Sequence, residues 1–161
     1  MAGMSGSVEK VPGWESLPGA VRARFLEADL PPAVLKLEDS VNFQLGPELV
    51  EAGGGMRFGH GTGLFEGDFC LDSATGTVRL MRPDGLPPLF VNSSLEQFGR
   101  SARQVLAHER DLTRGDAETC ANAAKQVRSA IAIIDPAADD TDTYWDALYY
   151  ELADGTYSDF E

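Results

Sequence analysis

The apolar positions of this chain change period twice along its length. In "SLPGAVRARFLEADLPP", Val21, Phe25 and Leu26 share one face of a 3.6-residue repeat. This predicts a short helix with Ser16 as cap, Pro18 near the first turn, and Pro31 and Pro32 as the stop. Leu35, Leu37, Val41, Phe43 and Leu45 then fall on one parity of a two-residue repeat, which marks one half-buried strand or two short ones. "GGGMRFGHGTG" wraps a further short strand in glycine. Phe65, Phe69 and Leu71 alternate, "DSATG" supplies a turn, and Val78 and Leu80 alternate again, so this stretch reads as an antiparallel hairpin. A turn at Pro83, Asp84 and Gly85 leads to a last short strand in "LPPLFV".

After Asn92 the helical period returns. Leu95, Phe98, Ala102, Val105 and Leu106 form one stripe, and Cys120, Ala123, Ala124, Val127, Ile131 and Ile134 form a second that ends before Pro136. Trp145, Leu148, Tyr149 and Leu152 form a third, with Gly155 as its stop. Helix, strands, then helices, without repeated strand-helix-strand units, favours α+β over α/β. The expected architecture is a single domain: an N-terminal helix, an antiparallel sheet of about five strands, and C-terminal helices packed on the sheet. A chain of 161 residues, 43% of them hydrophobic, suits one well-buried core. Residues 1–16 read as a mobile arm in which Trp14 is the candidate for packing down, and 17–161 as the domain.

Charge sharpens this picture. Thirteen basic residues against 26 acidic ones give a formal charge of -13, which repels nucleic acid and anionic membrane surfaces and favours a basic partner. From Asp135 onward there are nine acids and no Lys or Arg, so that end holds -9 of the total. An Asp-rich helix start accounts for Asp142 or Asp146, but not for the acidity beyond Gly155. Asp139, Asp140, Asp142 and Asp146 are therefore the candidate partner-binding residues. The start of the chain lacks the basic and apolar regions of a signal peptide, and no later apolar run reaches bilayer length, so the expected location is the cytoplasm. Cys70 and Cys120 accordingly read as two reduced, buried thiols.

Candidate chemistry changes little. "VNSSLEQF" places Ser93 three residues before Glu96 and Ser94 three before Gln97, so either register gives a capping box, and the GxSxG pattern of a nucleophile elbow is absent. His60 in "FGHGTG" and His108 in "LAHERD" lie in no known catalytic constellation, since HExxH would need a His where Leu112 stands. The glycines at 59, 61 and 63 match no phosphate-binding loop and fit a bulge or tight turn. Asp140 and Asp142 are spaced like the first ligands of a calcium loop, but the position that needs glycine is Trp145. No catalytic residue, metal ligand or cofactor is expected.

The order of motifs resembles the bacterial SUKH superfamily, in particular its fourth immunity-protein subfamily. The resemblance rests on "VNSSLEQF" and "YWDALYYELADG", with "RARFLEADLPP" and "LDSATGTV" in the matching order, and spans roughly Arg22 to Tyr157. Gly99, Ser101 and Arg103 make the helix after "VNSS" less apolar than that pattern. The resemblance implies an α+β domain that is no enzyme and protects its producer by binding and occluding a cognate toxin domain, commonly a nuclease or deaminase. SUKH relatives outside toxin loci imply an alternative, a non-enzymatic scaffold or regulatory adaptor.

Overall fold

A computed structural model describes residues 8–52, 54–62 and 66–158. Residues 1–7 of the expected arm, Gly63, Phe65, Asp159 and Glu161 lie outside the described residues. Helix α1 spans Gly19–Ala28. Six strands follow: β1 Ala33–Lys36, β2 Val41–Ala52, β3 Gly55–Gly61, β4 Gly67–Asp72, β5 Val78–Met81 and β6 Leu89–Asn92. They pair in chain order as one antiparallel meander, so the first apolar run is two strands. Helices α2 Leu95–Ala107, α3 Glu109–Arg114, α4 Ala117–Ile134 and α5 Tyr144–Ala153 complete the domain.

Alternation decides which side of the sheet is buried. Phe69 and Leu71 on β4 and Val78 and Leu80 on β5 turn inward, at most 4% exposed, and Phe69 meets Phe98 of α2 and Tyr144 of α5. There the rings of Phe43, Phe58, Phe69, Phe98 and Tyr144 meet at centroid distances of 5.0 to 6.5 Å. Contacts of this kind add to the area that the rings remove from water. Gly59 makes room for the cluster: a Cβ there would stand 2.4 Å from the Phe43 ring. At the β4–β5 hairpin, Asp72 Oδ1 accepts from the backbone N–H groups of Ala74 and Thr75 at 2.8 and 3.0 Å. Those bonds, with Thr75 first, hold its carboxyl below the usual carboxylate range.

Two details depart from the sequence reading. Helix α1 starts after Pro18 with no side-chain cap, so Ser16 does not serve it. The parity of the first strand breaks at Leu35, which takes φ 52 and is fully buried beside buried Val34, leaving Leu37 at the surface. Its N–H donates to Glu109 Oε2 at 3.2 Å, which helps to hold a left-handed leucine. Within the N-terminal stretch, Val8 and Trp14 are buried, with Trp14 edge-on to Phe25.

Gly99, Ser101 and Arg103 of α2 each have a tertiary function. A Cβ on Gly99 would fall 2.2 Å from the Ala28 carbonyl oxygen, so glycine sets the close crossing of α1 and α2. Arg103 donates through Nε and Nη2 to the Asp29 carbonyl at 3.0 and 2.8 Å, satisfying the C-terminal end of α1. Ser101 is fully buried and is bonded by Asn92, as described next.

Candidate partner-binding surface

The acidic segment begins at the end of α4, and its first member is buried in the interior. Asp135 is 1% exposed and accepts three hydrogen bonds from neutral donors: Ser93 N–H at 2.7 Å, Ser93 Oγ–H at 2.9 Å and Asn92 Nδ2–H at 3.0 Å. Asn92 also donates to Ser101 Oγ at 3.2 Å and accepts from Trp145 Nε1–H at 2.8 Å. One buried polar cluster thus joins the end of β6, α2, the end of α4 and α5. Every bond is within ordinary length, which is what makes a buried carboxylate tolerable.

The cluster also settles the roles of the two serines. Ser94 caps α2, accepting from the Gln97 N–H at 3.2 Å and donating to Gln97 Oε1 at 2.9 Å. Gln97 Nε2 bonds the Ile134 carbonyl at 3.1 Å, so the reciprocal half of a capping box is exchanged for a tie to α4. Ser93 has no capping function and belongs to Asp135.

Beyond Asp135 a single turn, Pro136–Asp139, leads to α5, which Thr143 caps by accepting from the Asp146 N–H at 3.2 Å. The Thr143 hydroxyl lies 3.0 Å from the Ala138 carbonyl and 2.9 Å from that of Asp140. The four candidate residues then divide into pairs. Asp139 and Asp146 share one cation from α4: Arg128 Nε is 3.1 Å from Asp139 Oδ1 and its Nη2 is 3.7 Å from Asp146 Oδ1. The guanidinium also lies 4.6 Å above the Tyr149 ring. Asp140 and Asp142 are exposed, the latter at φ 64. The sequence reading of this end, acids without a base, missed Arg128, whose signal was its place beside the apolar stripe of Ala124, Val127 and Ile131.

The remaining candidates have local structural partners. His60 on β3 donates from Nδ1 to the Gly46 carbonyl at 3.1 Å, and His108 contacts the Gln104 carbonyl and Gln126 Oε1, each at 3.0 Å. Cys120 is a buried free thiol beside the Asp111, Leu112 and Gly115 carbonyls, which it approaches to 3.5–3.8 Å. Among the described residues, no group of three or more His, Cys, Asp or Glu is placed to hold a metal, and no helix is long and apolar enough to cross a membrane.

Comparison with known proteins finds a family. No curated protein and no solved structure matches the chain. The family model of the SUKH-4 immunity protein covers residues 12–151, from before α1 to within α5. That span contains Trp14, the β4–β5 hairpin, the Asn92–Asp135–Trp145 cluster and all four candidate aspartates, and on it the chain belongs to the SUKH-4 immunity protein family.

Proposed function

We propose that this protein neutralises a cognate toxin in the cytoplasm by binding and occluding the toxin's active domain, without catalysis of its own. The observation that carries this reading is the family match over residues 12–151. The toxin class that fits best is a nuclease or deaminase, whose nucleic-acid groove is basic and complements a chain of charge -13. Asp139, Asp140, Asp142 and Asp146 form part of the contact. Asp140 and Asp142 lead in it, since they face solvent while Arg128 partly neutralises the other two. Surface charges of this kind act chiefly on the rate of encounter.

The test is association with the toxin encoded beside this gene, followed at low and high ionic strength. Asp140→Asn/Asp142→Asn should melt as wild type does, because Asn also tolerates the left-handed backbone at 142. It should associate about three- to tenfold more slowly at low salt, with a shallower salt slope. Adding Asp139→Asn and Asp146→Asn should slow it further. An unchanged rate and slope in the quadruple variant would remove this surface from the interface, and failure of wild type to bind the toxin at all would remove the function.

A further inference from the structure

The outer face of the sheet carries a charge pattern that the immunity reading does not use. On β4, Asp68, Cys70 and Asp72 point away from the core, in a line along the strand. Across the strands, Arg57 of β3 and Arg79 of β5 are the register partners of Cys70 on either side. The four charges form a cross with Cys70 at its centre, acids along the strand and bases across it. Successive outward residues on a strand are about 7 Å apart and neighbouring strands about 4.8 Å, so the acid arm starts about 2 Å further from Cys70 than the base arm, a difference that the longer arginine side chains can span.

The guanidiniums are near carboxylates without being bonded to them. Arg57 lies 3.9 Å from Asp68 and 3.8 Å from Glu48, and Arg79 lies 3.8 Å from Asp72, all beyond hydrogen-bond distance. Arg57 Nε is buried and has no acceptor. Asp68 and Arg79 have side chains 47% and 45% exposed, so their free donors and acceptors face outward.

From this arrangement we propose that the outer face is the contact between two copies of this chain, stacked face to face with their strands nearly perpendicular. A two-fold axis through Cys70 along the diagonal of the cross turns one protomer's base arm onto its partner's acid arm. Arg79 then meets Asp68 of the other copy, and Arg57 meets Asp72, in both directions at once. Near-perpendicular stacking is one of the two ways that sheets pack face to face, and an isologous contact requires such self-complementarity. The cross balances two bases against two acids, and with Glu48 beside Arg57 the face carries about one net negative charge, a small share of the chain's -13. The acidic turn after α4 lies on the helical side, and charges separated by more than about 8–10 Å are largely screened at physiological salt. Strands β2 to β5 offer a patch of roughly 19 by 20 Å, which buries about 800 Å² in total. That area is small for an interface and implies a dimer that depends on concentration.

Sedimentation velocity over a concentration series tests this with the protein alone. Wild type should move from monomer to dimer as concentration rises. Arg79→Asp alone and Asp68→Arg alone should each raise the dissociation constant at least about tenfold, because each homodimer then places like charges together. An equimolar mixture of the two variants should recover the dimer as a heterodimer, since every contact again pairs opposite signs. Asp72 is left unchanged because it holds the hairpin turn. If either reversal fails to fold by circular dichroism, Arg79→Gln and Asp68→Asn take its place, each expected to weaken the dimer without repulsion. A wild type that stays monomeric throughout overturns the proposal, as does a dimer that none of these substitutions weakens.

Discussion

Strand β4 shows the molecule's two solutions for its side chains within six residues. Toward the helices, Phe69 and Leu71 are at most 4% exposed, and Phe69 meets the rings of Phe43, Phe58, Phe98 and Tyr144. The polar groups on that side are satisfied at 2.7 to 3.2 Å around Asn92 and Asp135. Away from the helices, Asp68, Cys70 and Asp72 stand among arginines at 3.8 to 3.9 Å, near enough for Coulomb attraction and too far for a bond. The first arrangement stabilises the fold. The second leaves donors and acceptors that another molecule can use.

The contrast is broken most severely from inside. Phe69→Ala should destabilise the protein by about 3–5 kcal/mol in urea titration, because it removes a ring that touches four others and leaves a cavity. Its neighbour Cys70→Ala, one residue along and facing out, should shift stability by no more than about 0.5 kcal/mol. Comparable losses at the two positions would mean that the strand does not divide its faces this way.

Asp135→Ala comes next. It leaves the Ser93 N–H and Asn92 Nδ2 donors without their carboxylate, and each buried donor left unpaired costs about 1–3 kcal/mol. The expected loss of about 3 kcal/mol separates Asp135 from Asp140 and Asp142, whose conversion to Asn should leave the melting temperature unchanged. The three differ in surroundings and not in residue type.

The smallest effect sharpens the outer face. Burial, with Asp68 second, pushes the Cys70 thiol from 9.0 up to about 11, against a lesser opposing pull from Arg57. Its alkylation rate by iodoacetamide should therefore keep climbing about tenfold per pH unit through pH 10. A plateau near pH 9 would show an ordinary, solvated thiol. The sign for stability follows from the same shift. The raised folded value favours the native state fully below pH 9, and this contribution falls as pH rises toward 11, when the unfolded thiol ionises first. Tyr144 and Tyr157, both raised chiefly by burial, act in the same direction, so stability should decline in alkali.

Features governed by near neighbours were legible in the sequence. The two-residue period gave the β4–β5 hairpin, the 3.6-residue period gave α2, α4 and α5, and the spacing of Ser94 and Gln97 gave a helix start, because each depends on residues within one or two turns of chain. The α+β order, the charge and the resemblance to the family followed from the same linear information. What the tertiary structure decided lies between residues far apart in the chain. Ser93 bonds Asp135 across 42 positions, Trp145 reaches Asn92 across 53, and Arg103 closes α1 across 74. Arg128 divides an acidic run that looked uniform, and Leu35, out of its period, gives its N–H to Glu109 across 74 positions. Period and capping are set by local backbone geometry, whereas the partner of a buried charge is whichever group the packed chain brings within 3 Å, and only the completed fold determines which group that is.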